Sequence, residues 1–141
     1  MKHLIAILFS LAAALPVAAE TSTTDILNAY RASSGQAPVR YSRTLEKMAR
    51  AHLNDMTRHG FLGHTGSNGA GLADRGRAHG YAFCYMSENL AQGQTSLNEV
   101  MQDWAESKYH RKNMMNRKAT EFALVHGPGD FWVMVLGRPG C

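Results

Sequence analysis

Two histidines and two glutamates in short polar motifs are the residues of this chain best suited to chemistry. They lie in four separate stretches: Gly63-His64-Thr65-Gly66, Ser87-Glu88-Asn89-Leu90, Tyr109-His110-Arg111-Lys112-Asn113 and Thr120-Glu121-Phe122-Ala123. Imidazoles and carboxylates together can hold a divalent cation such as zinc, or they can move protons as general base and acid. The spacing matches neither the H-E-x-x-H zinc motif nor the G-x-S-x-G motif of serine hydrolases. We therefore expect a shared cleft, whose use the motifs leave open.

A purely structural role for the same residues is also open at this stage. Glu88 and Glu121 could pair with His64 and His110 simply to hold loops against the rest of the domain, because a satisfied polar network fixes loop geometry. His52 falls on the apolar stripe of a predicted helix. We interpret it as a partly buried core histidine.

The start of the chain has the pattern of a secretory signal peptide. Lys2 and His3 precede an apolar run from Leu4 to Leu15, and Val17-Ala18-Ala19 supplies the small residues of a cleavage site. About a dozen apolar residues are fewer than the roughly 20 that span a bilayer. We predict a signal peptide over residues 1–19 and a single domain over residues 20–141, secreted or periplasmic and monomeric.

Two cysteines, Cys84 and Cys141, allow one internal disulfide in an exported chain. Closing this loop would stabilise the fold by very roughly 4 kcal/mol in the chain-entropy account. Free thiols or an intermolecular bridge are the alternatives. Neither cysteine has the helix-start or histidine-flanked setting of a catalytic thiol.

The net charge of +4 does not predict a nucleic-acid partner. The basic residues are scattered along the sequence, apart from Arg111-Lys112 and Arg117-Lys118, and no interleaved aromatics form a stacking platform. These basic residues are interpreted as solvated surface.

Local patterns predict helices that alternate with short strands. We expect a short helix over 25–31, a longer one from the Ser42 cap to Gly60, a third over 72–79, a fourth from the Ser96 cap to about Ser107, and a helical turn within 108–119. Extended segments are predicted at 39–41 and 81–86, and a hairpin joins 122–125 to 131–136 through Gly127-Pro128-Gly129-Asp130.

The second strand of that hairpin is apolar almost throughout, which is typical of a central strand covered on both faces. Helices before and between the strands must then cover both sides of the sheet. The sequence therefore predicts an α+β fold arranged as a three-layer α-β-α sandwich.

The motifs in this order resemble the CAP superfamily of cysteine-rich secretory proteins, antigen five and pathogenesis-related proteins, also called the SCP domain. The resemblance spans about residues 24–137. It rests on Asn28-Ala29-Tyr30-Arg31, Phe61 to Gly66, Ser87-Glu88-Asn89-Leu90-Ala91, Trp104 with His110-Arg111-Lys112-Asn113, and Thr120-Glu121-Phe122. It is nearest to the compact bacterial branch and implies the same α-β-α sandwich.

The family's cleft typically holds two histidines and two acidic residues, and His64 and Glu88 match their motifs directly. In the eukaryotic pattern a glutamate follows the tryptophan of the third helix and a histidine opens the strand motif. Here Ser107 and Glu121 stand at those places. The resemblance therefore implies an exchange, in which His110 replaces the missing histidine and Glu121 the missing glutamate, with Asp74 and Glu106 as other acids.

The resemblance implies a non-catalytic binding module rather than an enzyme. Its cleft of His64, Glu88, His110 and Glu121 would take up a divalent cation such as zinc through His64 and His110, or the protein would bind a small apolar ligand, such as a sterol or fatty acid, or an extracellular protein. The alternative is an extracytoplasmic hydrolase that uses a metal or acid/base chemistry. No catalytic residue is assigned.

Overall fold

The computed structural model describes residues 22–141, so the predicted signal peptide lies outside the described residues. The elements are α1 (Thr23–Ser33), β1 (Arg40–Tyr41), α2 (Arg43–His59), α3 (Leu72–Ala78), β2 (Phe83–Gln92), α4 (Leu97–Glu106), α5 (Lys108–Met114), β3 (Glu121–Gly127) and β4 (Phe131–Pro139). Within residues 22–141 no helix is both long and apolar enough to span a membrane.

The strands form one mixed sheet in the order β1-β3-β4-β2. The short β1 pairs with β3 in parallel, whereas β3, β4 and β2 pair antiparallel. The apolar strand β4 is interior, as its composition predicts. The strand β2 lies at an edge and is longer than predicted, because Ser87-Glu88-Asn89-Leu90 continues the strand that begins at Phe83.

Alternation along β4 divides the core into two layers. Trp132, Met134 and Leu136 face α1, α4 and α5, while Phe131, Val133 and Val135 face α2 and α3. Both layers are buried. The predicted three-layer α-β-α sandwich is confirmed.

The helix boundaries follow from their capping residues. Ser42 caps α2 by accepting the Leu45 amide, and Gly60 ends that helix with φ of 68°, a left-handed conformation that glycine adopts without strain. Ser96 caps α4 through the Glu99 amide. Ser22 caps α1 by accepting the Asp25 amide, so this helix begins at Thr23 rather than at residue 25. The region 108–119, predicted as a helical turn, contains the seven-residue helix α5.

A disulfide joins Cys84 near the start of β2 to Cys141 at the end of the chain, with Cα atoms 5.1 Å apart. The predicted internal pairing is confirmed. It ties the last residue to the edge strand of the sheet, where a chain end would otherwise fray.

Candidate functional site

The edge strand β2 organises the site because consecutive residues of a strand point to opposite faces. Glu88 pairs with Val135 and its side chain lies on the α2/α3 face, whereas Asn89 pairs with Met134 on the α4/α5 face. One residue pair therefore reaches both helical layers. Glu88 holds His64 on one side and Asn89 holds α5 on the other.

On the first side, the buried carboxylate of Glu88 binds an imidazole and a guanidinium. Its Oε1 accepts a hydrogen bond from His64 Nδ1 at 2.8 Å, and its Oε2 accepts one from Arg75 Nη2 at 2.7 Å. The His64 side chain is 62 % exposed while that of Glu88 is 2 % exposed. The hydrogen bond to Glu88 raises the pKa of His64. In the neutral imidazole this bond places the proton on Nδ1 and leaves Nε2 free toward solvent.

Arg75 positions the loop that carries His64. Its Nη1 donates to the carbonyl oxygen of His64 at 2.7 Å and to that of Ala70 at 3.2 Å, so one guanidinium joins both sides of the loop to Glu88. Sequence reasoning missed this residue. The sequence signal for close packing at this point was the neighbouring Gly76. A Cβ at residue 76 would lie only 2.5 Å from Met86 Cε, because α3 packs directly on β2.

His52 lies beneath the same loop and is also part of the cluster. It is buried as predicted, its Nε2 lies 2.8 Å from the carbonyl oxygen of Gly63, and the same nitrogen is 4.0 Å from Glu88 Oε1. Burial lowers the pKa of His52, more than the nearby Glu88 charge raises it. Its Nδ1 has no hydrogen-bond partner among the described residues, so a second proton there would be unsatisfied. His52 is therefore a neutral donor that supports the loop.

On the second side, asparagine side chains fix α5 and with it His110. Asn89 Nδ2 donates to the carbonyl oxygen of His110 at 3.1 Å, and Asn113 Nδ2 donates to the backbone oxygen of Glu88 at 3.2 Å. The pKa of His110 is lowered by burial and then by the positive charge of His64. The dipeptide Glu88-Asn89 thus contacts the imidazole of His64 through one side chain and the backbone of His110 through the other.

Glu121 lies apart from this cluster. Its Oε2 accepts a hydrogen bond from the buried Tyr81 hydroxyl at 2.9 Å, and its Oε1 accepts one from Arg40 Nε at 3.0 Å. Gly137 leaves room for the Tyr81 hydroxyl to reach Glu121, because a Cβ at residue 137 would lie 2.5 Å from the Tyr81 oxygen. Of the predicted quartet, the structure joins His64 to Glu88, brings the backbone of His110 to the neighbouring Asn89, and places Glu121 in a separate network.

The other acids considered from the sequence also have local partners. Asp74 Oδ1 accepts from Arg77 at 3.2 Å, and Glu106 Oε1 accepts from Gln102 at 2.9 Å. Within residues 22–141, no three His, Cys, Asp or Glu side chains form a group able to hold a metal ion. His64 and Arg75 already engage both oxygens of Glu88, so this carboxylate is not free to act as a metal ligand.

A cavity of about 290 Å³ lies behind the loop, between α2 and α3. His52 and Arg75 contribute to its walls, whereas His64, Glu88 and His110 do not. The exposed imidazole of His64 is thus at the outer surface of the loop, accessible to a ligand that approaches from solvent.

Comparison with known proteins agrees with this architecture. The family model described as CAP, the cysteine-rich secretory protein family, matches residues 24–136. An extracellular protein from Bacillus anthracis that contains an SCP domain superposes with a TM-score of 0.78 at 23% identity, covering 82% of this chain and 38% of that one. An outer surface protein from Borrelia burgdorferi gives a TM-score of 0.75 at 21% identity, covering 81% of this chain and 87% of that one.

Among protein sequences, the chain is 30% identical to the uncharacterized protein YkwD of Bacillus subtilis over 80% of this chain and 44% of that protein. It is 24% identical to the uncharacterized membrane protein YlbC of the same species over 74% of this chain and 30% of the other. The chain therefore spans less than half the length of these two relatives. The match to the family model covers most of the described residues and all the elements that build the site, and the chain belongs to the CAP family of cysteine-rich secretory proteins.

Proposed function

We propose that the protein is a non-catalytic binding module that works outside the cytoplasm and takes up a divalent cation such as zinc between His64 and His110. The observation that carries the proposal is the buried Glu88, which accepts the Nδ1 proton of His64 and leaves the other ring nitrogen free and exposed. Carboxylates orient metal-binding histidines in this way in many zinc sites. The disulfide and the extracellular and outer-surface proteins of the same fold support a location outside the cytoplasm.

Two imidazole donors fit an open site better than a closed one. Zinc takes four ligands in structural sites, so two histidines would leave at least two positions for water or for donor atoms of a ligand. The lowered pKa of His110 favours the neutral, coordinating form of its ring near neutral pH. A cation held in this way would supply a docking point for carboxylate, phosphate or imidazole groups of a partner.

Calorimetric titration of zinc into metal-free protein tests the proposal. We expect one site in the wild type, binding at least about tenfold weaker in His64→Ala and in His110→Ala, and a loss of about 10- to 100-fold in Glu88→Gln, which removes the orienting carboxylate. His126→Ala is the matched control, because it removes a histidine in the β3–β4 region that the site does not use. Identical titrations of wild type and both site variants would refute the metal site.

An acid/base hydrolase is the second candidate, and the same His64–Glu88 pair is the observation in its favour. A carboxylate that holds Nδ1 prepares Nε2 to accept a proton from water or a hydroxyl. Ser87 is not placed to be its nucleophile, since it precedes Glu88 in the strand and points to the opposite face. Peptide, ester and glycan substrates should be screened with wild type and Glu88→Gln. Turnover that Glu88→Gln abolishes would establish the hydrolase over the binding module.

For a small apolar ligand we propose a groove on the other helical layer. A groove of about 420 Å³ runs along α1 and is lined in part by Ile26, Ala29 and Tyr30. Mass spectrometry of organic extracts from purified protein, with Ala29→Trp as a variant that fills the groove, checks this part of the proposal. A co-purified ligand that is lost in the variant is the expected result.

A further inference from the structure

The positive charge of the domain is concentrated in one short segment, residues 107–120. This segment contains no Asp or Glu. Its five basic residues are Lys108, Arg111, Lys112, Arg117 and Lys118. The remaining described residues hold nine Lys and Arg against ten Asp and Glu. Outside this segment the domain is close to neutral. We call the five side chains the basic face.

Helix α5 and the turn that follows it carry the basic face. All five residues are exposed, and among the ion pairs of residues 22–141 none involves them. Lys108 and Lys112 are four residues apart on one helix, which is an unfavourable like-charge arrangement. Arg111 donates to the carbonyl oxygens of Ala105 at 2.8 Å and Glu106 at 3.3 Å, which fixes α5 against the end of α4. The charges are therefore held in place without an anionic partner from this chain.

Exposed apolar side chains lie beside the basic face and the imidazoles. Tyr109 is 79% exposed and Leu62 is 48% exposed, and they are two of the three exposed large hydrophobic residues of the described chain. Tyr109 adjoins His110 in α5, and Leu62 is two residues before His64. Tyr109 therefore lies among the basic residues of α5, and Leu62 precedes the exposed imidazole of His64 in its loop.

We propose that this surface docks on an anionic lipid bilayer, with the cleft of His64 and His110 turned toward the membrane. Lysine and arginine side chains near a bilayer surface are attracted by anionic headgroups, and tyrosine favours the interface between headgroups and acyl chains. An aliphatic side chain such as Leu62 gains from entering that interface. Single-stranded nucleic acid is a poorer fit, because its binding surfaces stack successive bases on several aromatic side chains.

Flotation with phosphatidylglycerol/phosphatidylcholine vesicles tests this docking, using metal-free protein at about 0.1 M salt, where charges more than roughly 10 Å away are screened. We expect binding to the mixed vesicles and none to pure phosphatidylcholine. The triple variant Lys108→Gln, Lys112→Gln, Lys118→Gln should bind about a hundredfold more weakly, at about fivefold for each lysine. Tyr109→Ser should weaken the binding severalfold without changing its dependence on salt.

A second triple variant, Arg43→Gln, Lys47→Gln, Arg58→Gln, is the matched control. These residues are exposed and lie on α2, and their removal changes the net charge by the same amount. The control should bind within about threefold of wild type. An equal loss in both triple variants would overturn the proposal, because net charge alone would then explain binding. Failure of the wild type to float, or binding to a single-stranded oligonucleotide in its place, would also overturn it.

The vesicle experiment is independent of the zinc titration. None of the three lysines is a proposed metal ligand, and the protein is tested without metal. Loss of zinc binding with intact flotation would leave the membrane surface standing, and the reverse result would leave the metal site standing.

Discussion

Glu88 and Glu121 are similar carboxylates in one sheet that have different roles. Both are buried, and both lie on the α2/α3 face, since their partners Val135 and Gly137 are two residues apart on β4. Each also contacts an arginine. The arginine of Glu88 is Arg75, with a side chain 8% exposed, whereas that of Glu121 is Arg40, with a side chain 75% exposed.

The third partner separates the two networks. Glu88 holds the exposed imidazole of His64, whereas Glu121 holds the buried hydroxyl of Tyr81. Burial and the bond to Glu121 raise the pKa of Tyr81, so this hydroxyl remains a protonated donor. One carboxylate thus presents a titratable group to solvent, and the other joins β3 to the segment before β2. Of these two buried glutamates, only Glu88 holds an exposed titratable partner, which makes it the candidate for function.

The largest expected effect is on Glu88. Glu88→Gln leaves the Arg75 guanidinium buried without a counter-charge, and breaking a buried ion pair costs about 3 to 5 kcal/mol. We expect the free energy of unfolding, measured by urea denaturation, to fall by about that amount, with zinc binding weakened as well. A loss below about 1 kcal/mol would mean that Arg75 is solvated and that the cluster is not a buried network.

Glu121→Gln should have a smaller effect. Arg40 remains in water after the change, so the main loss is the altered bonding with Tyr81, worth about 1 to 2 kcal/mol. Zinc affinity should equal that of the wild type, and the same denaturation and calorimetric experiments measure both. A zinc affinity as low as that of Glu88→Gln would contradict the separation of the two networks.

The smallest expected effect concerns the pH dependence of stability through His52. Its pKa is lowered by burial, so the unfolded chain binds this proton more readily, and stability falls as pH decreases through the ordinary value of 6.5. His64 has the opposite sign, because its raised pKa adds stability at low pH that is lost as pH rises through its folded pKa. Solvent screens the exposed His64, which reduces its share.

Thermal unfolding of His52→Gln at pH 7.5 and pH 5.5 isolates the His52 contribution. Glutamine can still donate to the Gly63 carbonyl oxygen but has no proton to gain. We expect the melting temperature of the variant to fall less on acidification than that of the wild type. Equal falls in the two proteins would show that His52 does not contribute to acid sensitivity.

Much of the fold could be predicted because its signals are local. The Ser42 cap, the Gly60 stop and the apolar stripe of α2 lie within a few turns of one another, and the apolar run of β4 indicates an interior strand. The motif around Glu88 was harder to place, because Ser87-Glu88-Asn89 is polar and does not have the apolar character of a buried strand. Pairing with β4 nevertheless extends β2 through these polar residues.

The sequence by itself determined the layers, the disulfide partners and the identity of His64, Glu88 and His110 as candidate site residues, since each depends on composition or on a short motif. Only the tertiary structure decided that Arg75 and His52 complete the cluster and that Glu121 belongs with Tyr81 and Arg40. The physical reason is sequence separation. A buried charge is satisfied by whichever partner the packed elements bring near, and Glu121 meets Arg40 across 81 residues and Tyr81 across 40.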